Sequence, residues 1–243
     1  MDLRDIDISF DMRSDCPQPK PGSNHIPDPD NASPTLKHYH KLLWSKQLPN
    51  GEYMEMEMGK DCYLKWKNFY FGSDSIIVSF MHARNKLRHE IESSIPHYPI
   101  FREQYLRKAS TIGGYMIFPQ HRNSMNQMRG CNRKISDRWD LTLECIKLFY
   151  LGEDSPLHKI ISSDAAFYKL FVDFKGFVDF FLLQDCVDED YNVIKWLDTT
   201  LGDTYPLPKT LEEYHSWINQ ELAFLEKRAK RIEDYCKRQR LNL

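Results

Sequence analysis

"YMEMEMGKDCYLKW", residues 53–66, carries the reading that decides the fold class. From 53 to 58 apolar and acidic residues alternate strictly, Gly59-Lys60-Asp61 interrupts, and 62–66 resumes with tyrosine, leucine and tryptophan. A period of two residues with one apolar face is the pattern of a half-buried hairpin, because successive side chains of a strand point to opposite faces. Residues 75–80 and 111–118, rich in Ile, Val, Tyr and Phe, extend the strand expectation, so 53–118 is expected to be mainly strands.

On both sides of this region the period changes. Ser33-Pro34-Thr35-Leu36 joins a capping serine to a proline at the first helical position, where a missing N–H costs nothing, and Leu36, Tyr39, Leu43 and Trp44 follow at helical spacing. Leu48-Pro49-Asn50-Gly51 supplies a turn. From Asp137 onward Trp139, Leu143, Ile146 and Tyr150 share a helical face that Gly152 stops. Ser155-Pro156-Leu157 opens the next helical stretch, the phenylalanines between 167 and 181 form the most apolar part of the chain, and Thr210-Leu211-Glu212-Glu213 reads as a capping box before a last helix. Residues 137–240 are thus expected to be mainly helices. Residues 12–31, with Pro17, Pro19, Pro21, Pro27 and Pro29, are expected to be extended. Helix, antiparallel strands and helices in that order predict one α+β domain over 1–243: a small antiparallel sheet in the middle of the chain, packed by N- and C-terminal helices.

Composition narrows the function classes. The 243 residues are 41% hydrophobic and 28% charged with a formal net charge of −2, enough apolar matter for a core and no overall counter-charge for nucleic acid or membrane. The longest apolar run, Phe180-Phe181-Leu182-Leu183, falls far short of the roughly 20 residues a bilayer requires, so no membrane contact is expected. The opening MDLRDIDISF lacks the basic and apolar regions of a signal peptide, which makes the cytoplasm the expected location. Six cysteines without a C-x-x-C pair are expected to be reduced thiols.

Between the strands and the 137 helix lies the segment with most chemistry. Arg122, Arg129, Arg133 and Lys134 crowd a polar run, and Arg138 follows just inside the helix. Guanidinium forks at a helix start match phosphate oxygens, although a polar loop with solvated arginines would look the same. Asp137, Asp140 and Glu144, at i, i+3 and i+7, lie within about 60° on a helix and would suit Mg²⁺ or Mn²⁺, or else simply favour the helix dipole. His40 and Lys46 flank Trp44 near a helix end, where a histidine could serve as acid or base and a lysine could meet phosphate; a bonded core histidine and a snorkelling lysine are the plainer alternative. Arg84-x4-His89 matches a minimal helical-ribonuclease signature that the strand-rich middle does not suit. The basic residues of 227–240 would serve nucleic acid or merely a solvated helix face. No H-E-x-x-H, G-x-S-x-G or Walker-type glycine loop is present.

Several blocks together carry a resemblance. They are Ser33-Pro34-Thr35-Leu36 with Tyr39-His40, Leu43-Trp44-Ser45-Lys46 and Leu48-Pro49-Asn50-Gly51; Phe118-Pro119, Asn126 and Arg129-Gly130; Ile135-x-Asp137-Arg138-x-Asp140 continuing to Ile146; Ser155-Pro156-Leu157; and the run from Phe174 to Phe181. This set, spread over roughly residues 10–232, resembles an uncharacterised family of bacterial and phage proteins known only as a domain of unknown function. Ser124-Met125 stands where the resemblance leads one to expect Thr-Ile. The resemblance implies a single unit in a bacterial or phage setting and brings no reaction with it. It places Asn126, Arg129, Asp137, Arg138, Asp140 and Glu144 inside shared blocks.

The leading expectation is a binding protein for a phosphate-bearing ligand, RNA or a nucleotide, held by Arg129, Arg133 and Arg138 with Asn126 and Lys46, in a phage-defence or counter-defence setting. One alternative is a metal-assisted phosphodiesterase or nucleotide-processing enzyme in which Asp137, Asp140 and Glu144 work with His40 as acid or base and Mg²⁺ or Mn²⁺ as cofactor. Another is an inhibitor that acts by binding a protein partner.

Overall fold

The computed structural model describes residues 2–19, 27–59, 63–77, 85–119, 129, 134–204 and 206–241. Helix α1 (Pro29–Ala32) is one turn capped by Asp28, and α2 (Pro34–Trp44) follows at once. Ser33 Oγ accepts the Leu36 N–H at 3.1 Å and Pro34 opens α2, the start the sequence predicts. The segment expected to be extended therefore contains α1 and also a 3₁₀ turn, Met12–Asp15, capped by Asp11. Aspartates beside Pro29 and Met12 provide caps, and a cap is enough to start a turn even in proline-rich sequence.

The alternating run forms strands, but divides between two partners. Strand β1 (Lys46–Gln47) pairs antiparallel with β2 (Tyr53–Met54) across the Leu48–Gly51 turn, where Gly51 has φ 89°. Strand β3 (Glu57–Met58) instead pairs with β4 (Leu64–Trp66). The break has a local cause: Ser45 Oγ takes the Met56 N–H at 2.9 Å, the donor a continuous ladder would have needed. Met54 and Met56 are both buried.

Strand β5 (Phe69–Ser75) joins β4 to β6 (Tyr115–Pro119), giving a four-stranded antiparallel sheet in the order β3-β4-β5-β6. Ser73 stands opposite Ile117 and Ser75 opposite Tyr115. The strand expected at 75–80 thus lies earlier, ending where it was expected to begin; 78–80 fall outside the described residues. Gly72, Ser73, Asp74 and Ser75 have poor strand propensity, and pairing with β6 overrides it. Two helices, α3 (Asn85–Ser94) and α4 (Tyr98–Ala109), also occupy the region expected to be mainly strands. Both are polar along much of their length, and among the described side chains they bury Leu87, Ile91 and Tyr105, so neither sequence shows a broad apolar stripe.

Helix α5 (Trp139–Leu151) ends at Gly152, φ 74°, as its sequence predicts. Its start differs. Ser136 and Asp137 take left-handed φ of 46° and 61°, and the helix begins two residues later than expected, behind Arg138. Helices α6 (His158–Ser163), α7 (Ala165–Tyr168) and α8 (Phe174–Phe180) carry the aromatic core. Phe181 sits at the middle of it, with ring centroids 5.1 Å from Trp44, 5.2 Å from Phe171 and 5.0 Å from Phe177. Phe71 of β5 reaches the same cluster through Phe167 at 5.7 Å. One continuous apolar cluster runs from Met12 to Cys236.

The last helix, α9 (Leu211–Leu241), packs on α4, on the Ile112–Gly114 turn and on the N-terminal turn Leu3–Asp5. Its fully buried Arg228 donates to the carbonyls of Gly113 at 2.8 Å and Tyr115 at 2.9 Å. A side chain at Gly113 would put its Cβ 3.1 Å from the Leu225 carbonyl, so glycine lets α9 approach the turn closely. Among the described residues no helix is long and apolar enough to cross a membrane. The fold is α+β, with helices at both ends of the chain and the sheets between.

Candidate functional site

Arg129 and Arg138, expected to grip a ligand, both lie fully buried. Arg129 is sandwiched between the rings of Phe118 and Trp139, each 5.7 Å from its guanidinium carbon. Its Nε donates to Thr142 Oγ1 at 3.0 Å, and Nη1 donates to the Asp74 carboxylate and to the Ser75 carbonyl at 3.2 Å. Nη2 lies 3.3 Å from Asp137 Oδ1. Arg138 donates through Nε to Asp140 Oδ1 at 3.0 Å and through Nη1 to the Pro206 carbonyl at 2.9 Å, and also to the Thr199 hydroxyl and the second Asp140 oxygen. Asp140 completes its shell with the Trp196 N–H at 2.9 Å. Both arginines are committed inside the protein, where carboxylates and carbonyls compensate their burial.

The three carboxylates expected on one helical face do not share it. Asp137 stands off the helix in a left-handed conformation, Asp140 is buried against Arg138, and Glu144 is half-buried one turn on. Among the described residues no group of three or more His, Cys, Asp or Glu side chains is arranged to hold a metal ion. Asn126 and Arg133 lie outside the described residues, as does Arg84, while His89 sits exposed on α3.

Lys46 lies apart from this junction, whereas His40 is linked to it by a hydrogen-bonded chain. Lys46 Nζ donates to the Phe180 carbonyl and lies 4.4–5.0 Å from the ring centroids of Phe180, Tyr235 and Trp44. Burial lowers its ammonium to about 7, while the ring faces and the carbonyl favour the charged form. His40 is fully buried, and burial, with the nearby Arg228 charge, depresses it to about 3. Trp44 Nε1–H donates to His40 Nδ1 at 3.0 Å. The proton of the neutral ring must then be on Nε2, which faces Ser73 Oγ at 3.1 Å. Ser73 in turn donates to Asp30 Oδ1 at 3.1 Å, and the Ser75 N–H donates to Asp30 Oδ2 at 3.1 Å. A directed chain, Trp44 to His40 to Ser73 to Asp30, therefore ends on a buried carboxyl group.

That carboxyl belongs to a cluster the sequence patterns did not reveal. Asp30, on the single turn of α1, is pushed well above the usual carboxylate range by burial and by the neighbouring Asp74. Asp74, on β5 between Ser73 and Ser75, is raised to about 6, burial outweighing the attraction of Arg129. For Arg129, burial works against the charge, but Asp137 and Asp74 outweigh it and keep the guanidinium raised. The exposures are the reverse of the expected ones: the Arg129 side chain is 0% exposed, Asp74 20% and Asp137 37%. Asp137 and, to a lesser degree, Asp74 face solvent, with the arginine and Asp30 behind them. The one local sign of this in the sequence is Gly72-Ser73-Asp74-Ser75, a polar run inside what pairs as a strand.

The cations of the last helix are also largely spoken for. Arg231 pairs with Asp185 at 2.8 Å, Lys230 and Lys237 each with Glu233 at 2.7 Å, and Arg228 is buried. Cys16, Cys145, Cys186 and Cys236 are in no disulfide among the described residues.

Fold and site together define an α+β protein with an acidic centre at a strand-to-helix junction, organised by one buried arginine. The chain belongs to the family described as "Family of unknown function (DUF6994)", whose model matches residues 6–232. Comparisons with curated proteins and with solved structures returned no match.

Proposed function

We propose that the chain is an enzyme whose centre is the carboxyl pair Asp74 and Asp137, held on the two terminal nitrogens of Arg129 and backed by Asp30. The observation that carries this reading is the outward presentation of carboxyl groups around a guanidinium whose donors are spent on the protein. Two carboxyl groups in unlike surroundings divide naturally into an acid and a negatively charged partner. Asp74, raised to about 6 and without a hydrogen bond to Oδ1 among the described residues, is placed to give a proton to a leaving group. Asp137, the more exposed, supplies negative charge beside it.

An acidic surface stabilises a transition state that gains positive charge and disfavours one that gathers negative charge on phosphate. Hydrolysis of a glycosidic bond, in which the leaving group takes the Asp74 proton as its bond breaks and water adds to the oxocarbenium-like carbon and gives up a proton, fits that field; unaided phosphoryl transfer does not. Nucleosides and nucleotides, or RNA, are the substrates of this reading, with the base as leaving group, in the bacterial or phage cytoplasm that the sequence leads one to expect. Consecutive left-handed non-glycine residues at Ser136 and Asp137 support it, since such conformations concentrate at functional sites.

The test is incubation with pooled nucleosides, nucleotides and RNA, in buffer with and without Mg²⁺ or Mn²⁺, with free base and ribose read by chromatography. Base release that Asp74→Asn and Asp137→Asn abolish, and that declines as pH rises through about 6 while Asp74 loses its proton, is the expected result. No base release under any condition, or release that survives both substitutions, overturns the reading. Phosphate or a shortened RNA as the only product would return the assignment to metal-assisted phosphodiester chemistry.

A further inference from the structure

A groove remote from the carboxyl pair in chemistry and lining runs between α4 and α9. Phe101 and Tyr105 of α4 face Leu222, Leu225 and Ala229 of α9 across it, and Ile8 closes one wall, around a cavity of about 690 Å³. On each helix the lining follows i, i+3, i+4, i+7 spacing, with Phe101, Gln104, Tyr105 and Lys108 on one side and Leu222, Leu225, Glu226 and Ala229 on the other. Tyr105 and Leu225, both buried, form the packed floor where the two helices meet, and the partly exposed Phe101 and Leu222 form the walls of a surface groove above it. The Tyr105 hydroxyl is turned away from the gap to Glu221 Oε2 at 2.6 Å, so the ring presents carbon to the groove.

The rim carries an unbalanced charge. Lys108 and Glu226 pair with each other, whereas Arg107, exposed on the same rim, has no ion pair among the described residues. An apolar trough with one spare guanidinium at its edge is complementary to an amphiphile with one anionic head. The volume lies within the usual small-ligand range of roughly 300–1,000 Å³, and a two-turn stripe is only about 10 Å long. The volume suits a single acyl chain, of which the trough holds roughly eight carbons extended.

We propose that this groove binds a free medium-chain fatty acid, its chain between α4 and α9 and its carboxylate on Arg107. This is independent of the reaction proposed above, since no carboxyl-pair residue lines the groove.

Calorimetric titration of the full chain with laurate below its micellar concentration, and with dodecanol, tests it. One-to-one saturable binding of laurate is expected, with dodecanol weaker by roughly tenfold, the worth of one partly exposed charge-assisted contact. Arg107→Gln should bring laurate down to the level of dodecanol. Ser9→Trp, at an exposed rim position, should block both ligands while circular dichroism stays that of the parent. Absence of saturable binding overturns the proposal, as does laurate binding that neither variant alters. Binding of an acidic amphipathic peptide with none of laurate would also overturn it, assigning the groove to a protein partner instead.

Discussion

Replacing Arg138 by methionine keeps much of the side-chain bulk and removes the guanidinium, which separates a built-in counter-ion from a ligand-binding cation. In the protein this group serves both Asp140 oxygens, the Thr199 hydroxyl and the Pro206 carbonyl. Without it Asp140, 1% exposed, keeps only the Trp196 N–H at 2.9 Å among the described residues. An uncompensated buried charge costs about 3–5 kcal/mol, and an unpaired buried carbonyl such as that of Pro206 about 1–3 kcal/mol more. Because the two losses share one cavity they will not add fully, and a total of about 4–6 kcal/mol is expected. At about 2–4 °C per kcal/mol for a chain of this size, the midpoint of thermal unfolding should fall by roughly 8–24 °C. Thermal melts measure the midpoint, and urea unfolding followed by tryptophan fluorescence and near-ultraviolet circular dichroism measures the free-energy loss. Adding Asp140→Asn removes the stranded charge and keeps an oxygen for the Trp196 N–H, so the double variant should recover about 2 kcal/mol. A loss below about 1 kcal/mol for Arg138→Met, or a double variant less stable than the single one, would refute the assignment of Arg138 as internal scaffold.

The pH dependence of stability contains two opposed contributions. His40, lowered from 6.5 to about 3, is neutral in the fold and must charge on unfolding in acid, so it removes about 1.4 kcal/mol per pH unit below 6.5. Asp74, raised from 3.8 to about 6, binds its proton more tightly in the fold, so it adds stability at a similar rate as pH falls from about 6 to 3.8. Denaturant midpoints between pH 4 and 7 should therefore rise more steeply toward low pH in His40→Gln, and fall more steeply in Asp74→Asn, than in the parent; parallel profiles would contradict both. Gly176→Ala should destabilise by about 1–3 kcal/mol, since its Cβ would lie 2.1 Å from the Phe171 carbonyl oxygen. Gly152→Ala meets no atom within 4 Å but must hold φ at 74°, so thermal melts should show a smaller loss of about 1 kcal/mol.

The capped helix starts and the glycine stop were legible because they depend on neighbours in sequence. Ser33-Pro34 opens α2, and Gly152 ends α5, by local geometry alone. The division of the alternating run was not legible, because it turns on the Ser45 hydroxyl taking the Met56 N–H, a contact between residues 11 apart. The site was half legible. Arg129, Asp137 and Arg138 stand out as charges in a short span, but nothing in that span tells that Phe118 and Trp139 stack on Arg129 or that Asp74 reaches it from a strand 55 residues earlier. A guanidinium beside a helix start has the same sequence whether it faces water or the core. Asp30 escaped notice because it falls in the proline-rich run expected to be extended, and its partner Ser73 lies 43 residues away.

Helix α9 gives the chain an unusual dependence on its last long element. Its inner face covers the core with Trp217, Ile218, Leu225 and Ile232, and Gln239 shares a cavity wall with Leu3 and Arg4, more than two hundred positions away. Contacts so distant in sequence form slowly, because a long loop must be closed before any of them is rewarded. A nascent chain still attached to the ribosome at residue 210 would leave the carbonyls of Gly113, Tyr115 and Phe181 without Arg228. Its aromatic interior would stand open to chaperones and proteases until the final helix arrives to seal it.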